Sequence, residues 1–299
     1  MPASATAAEI RDVNTRYHDA AAAGYDSKWG ISFGPVGQRQ VLAKVAKALG
    51  RRPGPFDRGL EIGAGTGYFT LNLMQAGVVR SAVCADISPG MLDTLHANAA
   101  RLGLTVETVV GDAVGLELPP ASFDLVFGHA VLHHLPGLDV AFARFHRLLR
   151  PGGRLVFAGE PSLLGDRLAS VPKRGAAALA PAWRALLRAP AANGSTGASD
   201  GMEQLVDVHA FSPAQLAALA RSAGFEAVRV TGEELLASAF GWANRTLEST
   251  ADAAGVPWLW RQYAYLGYLA LQQVDRRLLE GRLPAAWFYN LIVSARRPG

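Results

Sequence analysis

A single cysteine, Cys84, stands among the 299 residues, so neither an intrachain disulfide nor a cysteine-based metal site can be built. A reducing cytoplasm is the expected compartment. No run reaches the roughly 18 apolar residues that a membrane-spanning helix needs. The opening stretch, MPASATAAEIRDVNTRYHDA, also lacks the apolar centre of a signal peptide. Lysine is scarce, with Lys28, Lys44, Lys47 and Lys173 set against 25 arginines that form no long run. The net charge of +4 therefore gives no basic stripe of the kind that binds nucleic acid, and the Arg and Ala enrichment is what a GC-rich genome produces. What is present is apolar: 50% of the chain is hydrophobic and 18% charged, which excludes disorder and supplies a sizeable core. Length alone suggests about two domains, although α/β folds run past 200 residues as one unit.

From about residue 58, short β-branched runs alternate with amphipathic stretches, the signature of a parallel sheet with helices on its faces. The first strand is expected at 58–62, followed by a Gly-rich turn at Gly63 to Gly67 and a helix from Tyr68 towards Gln75. The second strand is 82–86, and Ser88 and Pro89 then cap a helix over 89–102. Strands at 106–110, 123–127 and 154–157 complete a doubly wound α/β sheet. The stretch 161–210 is rich in Ala, Pro and Gly and reads as short helices and loops, with a polar segment at 193–200. Ser212 to Gln215 opens a helix towards Ala223 through a capping box, and a sixth strand follows near 227–230. Thr231 and Glu234 repeat the capping pattern ahead of a helical stretch over 233–284, and Phe288 to Ala295 is the last strand.

In an open parallel sheet, ligands bind outside the carboxyl ends of the strands, near the first Gly-rich turn. That turn reads Glu61-Ile62-Gly63-Ala64-Gly65-Thr66-Gly67-Tyr68. Gly63 and Gly65 permit a tight bend and close backbone approach to a ligand, and Gly67 lets the next helix begin beside the strand. A dinucleotide fingerprint requires a small residue at position 68, where this chain has Tyr68. Asp86 lies at the end of the second strand, where a carboxylate can accept from both hydroxyls of a ribose, and Asp112 ends the third strand, suited to an adenine amino group.

These features together resemble the class I S-adenosylmethionine-dependent methyltransferases, closest to the small-molecule branch that includes the ubiquinone and menaquinone biosynthesis enzymes. The likeness runs through Leu60 to Gly67, Ala85 to Met91, Gly111 to Ala113, Ser122 to Val126, Val131 to Leu135 and Leu148 to Gly153. It implies a seven-stranded Rossmann-like methyltransferase sheet with its last strand antiparallel. It also implies that Glu61, Gly63, Ala64, Gly65 and Gly67 hold the methionyl end of S-adenosylmethionine and that Asp86 binds the ribose. Ile87 and Met91 would pack on adenine, Asp112 and Ala113 would receive its amino edge, and His129 would sit beside the methionyl group.

Methyl transfer needs alignment and exclusion of water, and a general base mainly when the acceptor is a hydroxyl. His129, His133 and Glu160 are the catalytic candidates; His133 with Glu160 resembles a pair used by some sugar O-methyltransferases, although His-His-Leu also occurs in the family as structure. Asp207 and His209 offer a second carboxylate–imidazole pair. The two segments leaving the carboxyl ends of the fifth and sixth strands are expected to form a mainly helical lid, with Tyr17, Tyr25 and Trp29 from the N-terminal segment. The expected organisation is an N-terminal cap (1–50), a cofactor-binding core (51–160, 211–232 and 285–299) and two insertions (161–210 and 233–284).

Ten of the 25 aromatic residues fall within 233–290, which suits a planar or greasy acceptor, lid packing or a dimer contact. Five basic residues between Arg167 and Arg188 suit an anionic acceptor, a membrane surface or a solvated helix face. The chain carries Gly128-His129-Ala130-Val131 where amino-group methylases of DNA or protein have Asn/Asp-Pro-Pro-Tyr, and Cys84 is misplaced for cytosine C5 chemistry. The expected function is methyl transfer from S-adenosylmethionine to a small, aromatic or hydrophobic molecule in a bacterial cytoplasm. The alternatives are a nicotinamide-dependent oxidoreductase, a non-catalytic cofactor-binding protein, and an RNA or protein methyltransferase.

Overall fold

The structure, a computed structural model, describes residues 6–50, 53–192 and 209–299. Three helices, α1 (Ala7–Ala21), α2 (Tyr25–Trp29) and α3 (Pro35–Leu49), precede the sheet. The order then runs β1 (Phe56–Ile62), α4 (Tyr68–Gln75), β2 (Val79–Asp86), α5 (Pro89–Arg101), β3 (Glu107–Val110), β4 (Phe123–His129), α6 (Leu138–Leu148) and β5 (Leu149–Pro161). It continues with α7 (Leu163–Leu187), α8 (Pro213–Ser222), β6 (Glu226–Glu233), α9 (Leu236–Ser249), α10 (Trp258–Val274) and β7 (Asn290–Arg296).

The seven strands form one sheet in the order β3-β2-β1-β4-β5-β7-β6. All neighbours are parallel except at β7, which runs antiparallel to both β5 and β6. Strand side chains alternate between the two faces. On β4, Leu125 and Phe127 join the core under α3 and α4, whereas Phe123 and Val126 join the core under α6 and α8. Burial on both faces explains why Leu125, Val126 and Phe127 are apolar in succession. Strand order reverses at β1, flanked by β2 and β4, and so places a crevice at their carboxyl ends.

Two readings of the sequence need correction. The stretch after β5 opens not with short helices and loops but with a single 25-residue helix, α7, which passes through Pro172 and Pro181. Each proline removes one backbone donor. The helix is nevertheless capped by the Ser162 hydroxyl, which accepts from Gly165 N at 2.8 Å, and its buried Gly165, Ala169, Ala176 and Ala180 let α9 pack closely along it. The polar segment 193–200 lies outside the described residues. The Thr231–Glu234 capping pattern is not used either, because Thr231 lies within β6 and α9 begins at Leu236 with no local side-chain cap. Asp275 caps that end instead, accepting from Leu236 N at 3.0 Å and Ala237 N at 2.9 Å.

Candidate functional site

The turn after β1 follows from its glycines. Gly63, Gly65 and Gly67 have φ of +64°, +52° and +93°, a region that side chains other than glycine rarely adopt. A Cβ on Gly63 would lie 2.3 Å from a Val131 methyl, so the turn is packed against the segment after β4, while one on Gly65 would meet nothing within 4 Å. The turn thus has a packed side and an open side.

Two carboxylates flank it. Glu61 is buried, and one of its oxygens accepts from Thr70 N at 3.0 Å and from the Thr70 hydroxyl at 2.5 Å. Burial pushes its pKa up to about 8, against the pull of the Thr70 bonds. Asp86 accepts from Gly65 N at 2.7 Å and Ser88 N at 2.9 Å, and burial raises it as well.

A cleft opens here, at the carboxyl ends of β1, β2 and β4, where ligands bind in open parallel sheets. Its floor carries Gly63, Gly65, Asp86, Ile87, Met91, Asp112, Ala113 and His129. The opposite wall comes from α1 and α2, through Arg11, His18 and Tyr25, and from His134. Its described lining includes no residue of the two later insertions, which were expected as the roof. The N-terminal helices, also expected at the roof, are tied across the crevice. Arg11 donates to Asp112 at 2.7 Å; Asp19 accepts from the Ser88 hydroxyl at 2.5 Å and Gly90 N at 3.0 Å; Asp26 accepts from the Thr66 hydroxyl at 2.5 Å. Tyr17 and Trp29 do not line the cleft; Lys28 sits over both rings, at 5.6 and 5.3 Å.

His129 ends β4, stacked on Phe69 at 4.8 Å and edge-on to Tyr68 at 5.7 Å. Gly159 (φ +76°) faces its Nε2, and a Cβ there would lie 2.7 Å away. Burial pushes the imidazole pKa down to about 4, so the ring is neutral at physiological pH. His133 and Glu160 do meet, with Nδ1 to Oε2 at 2.9 Å. Glu160 also accepts from Val131 N and Leu132 N at 3.0 Å and from His133 N at 3.2 Å, so it holds the segment after β4. Neither His133 nor Glu160 lines the cleft, whereas the adjacent His134 does. His209 Nε2 meets the Leu135 carbonyl at 3.0 Å; Asp207, its expected partner, lies outside the described residues.

A buried ionic cluster that the sequence did not announce lies near Tyr68 and His129, within electrostatic reach of both. Lys44 contacts Glu233 and also Glu234, at 3.1 Å. Tyr268, Gln272 and Asn290 donate to Glu234 at 2.9, 2.8 and 3.0 Å. Burial opposes the charge on Lys44, but the two carboxylates prevail and its pKa is raised. Burial likewise opposes charge on Glu234, and Lys44 with the donors holds it at about 2.

Residues 60–157 match the family model described as a methyltransferase domain. Nocamycin O-methyltransferase of Saccharothrix syringae is 30% identical over 245 residues, 80% of this chain and 79% of that protein. The chain belongs to the class I S-adenosylmethionine-dependent methyltransferases. A malonyl-(acyl-carrier protein) O-methyltransferase of Methylococcus capsulatus is 35% identical over 159 residues, 48% of this methyltransferase and 56% of that one. The chain spans about half the length of this and several other curated relatives. Among solved structures, Haemonchus contortus phosphoethanolamine N-methyltransferase 2, in complex with phosphomonomethylethanolamine and S-adenosylhomocysteine, superposes with a TM-score of 0.61 at 18% identity. That match covers 100% of this methyltransferase and 62% of the other chain, and it shows the fold. The cofactor of the family is S-adenosylmethionine, and the open side of the Gly65 turn, with the Asp86 carboxylate beside it, is a cradle that fits it.

Proposed function

We propose that this protein transfers a methyl group from S-adenosylmethionine to an oxygen of a small, hydrophobic or aromatic molecule. The observation that carries the reading is the single cleft that joins the Gly63–Gly67 turn and Asp86 to His129, His134 and Tyr25. An oxygen acceptor is favoured by the relatives named as O-methyltransferases for nocamycin and for malonyl-(acyl-carrier protein).

In this reading Glu61, Gly63, Ala64, Gly65 and Gly67 hold the methionyl end, Asp86 the ribose, and Ile87 and Met91 the faces of the adenine. Asp112 and Ala113 receive its amino edge, with Arg11 fixing the Asp112 carboxylate from above. The cofactor supplies an electrophilic methyl group on a sulfonium. The protein's task is alignment and exclusion of water, which α1 performs by closing over the crevice. Neutral His129 accepts a hydrogen bond at the methionyl end and helps orient the acceptor. The His133–Glu160 pair acts as a positioning device that presents His134 to the cleft. Helices α1 and α2 form the roof, through Arg11, His18 and Tyr25.

Equilibrium titration with S-adenosylhomocysteine and with NADH tests the cofactor assignment: the first ligand binds and the second does not. Binding of NADH alone would sink the reading. Transfer of label to a nuclease- and protease-resistant product separates a small-molecule enzyme from an RNA or protein methyltransferase and from a silent binding module.

A further inference from the structure

Large apolar side chains stand exposed mainly on two helices of the later insertions. On α7, Leu164, Leu168, Val171, Leu179 and Leu186 recur at steps built from three and four residues and so lie along one stripe. Val171, Leu179 and Leu186 are 68%, 65% and 80% exposed, values at which a side chain contributes almost nothing to the protein's own core. The stripe runs about 33 Å at the rise of an α-helix. On α10, Trp258, Leu259, Tyr265 and Leu266 are exposed in the same way, and the two helices meet where the rings of Trp183 and Trp260 lie 5.2 Å apart. Single exposed apolar residues need no explanation, but five along one face of a helix do.

Charge says what covers it. Arg167, Arg174 and Arg188 are exposed on or at the end of α7. Lys173 is turned inward, 4.0 Å over the Trp242 ring, and Arg184 donates to the Thr250 carbonyl, so neither belongs to the outer face. The only acid of α7 is Asp166 in its first turn, within 3.5 Å of Lys173, and α10 has Arg261 and no acid at all. A second copy of this chain on the same face would oppose basic flank to basic flank. Leucine and valine along the centre, arginine at the edge, and tryptophan and tyrosine on the neighbouring helix are instead the composition of a helix lying in a lipid headgroup layer. No helix among the described residues is long and apolar enough to cross a membrane, so contact would be parallel to the surface.

We propose that the outer face of α7, with α10 beside it, docks the protein on an anionic lipid bilayer. Apolar insertion and arginine–headgroup attraction act together, since neither a few leucines nor a few charges alone give stable anchoring. Each arginine near an anionic surface contributes roughly a fivefold gain, so three give on the order of a hundredfold preference over a neutral surface.

The test is co-sedimentation of the full chain with phosphatidylcholine vesicles, with and without phosphatidylglycerol. Binding to the anionic vesicles and at least about tenfold weaker binding to the neutral ones is expected. Raising salt from about 0.1 M to about 1 M shortens the Debye length from about 10 Å to about 3 Å and should weaken the binding strongly. Leu179→Glu with Leu186→Glu, both at exposed positions, should abolish binding while thermal unfolding and S-adenosylhomocysteine affinity stay unchanged. No binding to anionic vesicles, equal binding to neutral ones, or undiminished binding by the folded double variant would overturn the proposal. A dimer in sedimentation velocity that Leu179→Glu dissolves would also overturn it, in favour of a second copy as the occupant.

Discussion

Glu61 offers a quantitative handle on cofactor binding. Burial raises its pKa to about 8, so at pH 7 only about one molecule in ten carries the charge. A cationic methionyl end would be held by the ionised form, and binding must then expel a proton. Affinity for S-adenosylhomocysteine should fall about tenfold from pH 9 to pH 7 and about tenfold again to pH 6. Asp86, also raised by burial, steepens the acidic end. Isothermal titration calorimetry in two buffers of different ionisation enthalpy should detect about 0.9 protons released at pH 7. Glu61→Gln should remove the slope between pH 9 and 7. The same group sets a stability trend in the free protein. Its folded pKa lies above the ordinary 4.5, so the folded state holds the extra proton and stability falls as pH rises from about 4.5 to 8. The ceiling of that loss is on the order of 5 kcal/mol, from 1.36 kcal/mol per pKa unit. A flat affinity profile in the wild-type protein, or an undiminished slope in Glu61→Gln, would refute the reasoning.

Replacing Lys44 by Met leaves Glu234 buried without its cation and Glu233 with only Lys47, at 3.1 Å, and should cost about 3–5 kcal/mol in chemical denaturation. The double change Lys44→Met with Glu233→Gln should recover part of that loss. Glu160→Ala strands three backbone donors and should destabilise by on the order of 3 kcal/mol, whereas His133→Gln leaves the backbone bonds to Glu160 in place and should cost about 1 kcal/mol. A positioning role for His133 limits the fall in kcat to less than about tenfold; general-base catalysis would require about 10²–10⁴-fold.

The parts of the fold written in local chemistry were legible. The glycines of the 63–67 turn, the Ser88–Pro89 helix start and the Ser212–Gln215 capping box act within a few residues, and each lies where its spacing puts it. Helix α7 was misread because Pro172, Pro181, Gly165 and Gly175 look like breakers. Packing of its small-residue face against α9 outweighs their propensities. The N-terminal segment was expected at the roof and Tyr25 is there, but the ties that hold it were not legible because they cross long separations: Arg11 to Asp112 spans 101 residues and Ser88 to Asp19 spans 69. Lys44 to Glu233 spans 189 residues, and nothing near Lys44 in the sequence marks it as buried. His133 and Glu160 were paired correctly, but only the structure shows Glu160 engaged by three backbone N–H groups.

The central claim is that the cleft over Gly63–Gly67 and Asp86 delivers a methyl group to a small molecule. Incubation of the protein with methyl-deuterated S-adenosylmethionine and a small-molecule extract, read by mass spectrometry, tests it most directly. A labelled low-mass product that withstands nuclease and protease, and that disappears with Asp86→Asn, is the outcome this account requires. Label confined to RNA or protein, or no transferred label from a protein shown to bind S-adenosylhomocysteine, would contradict it.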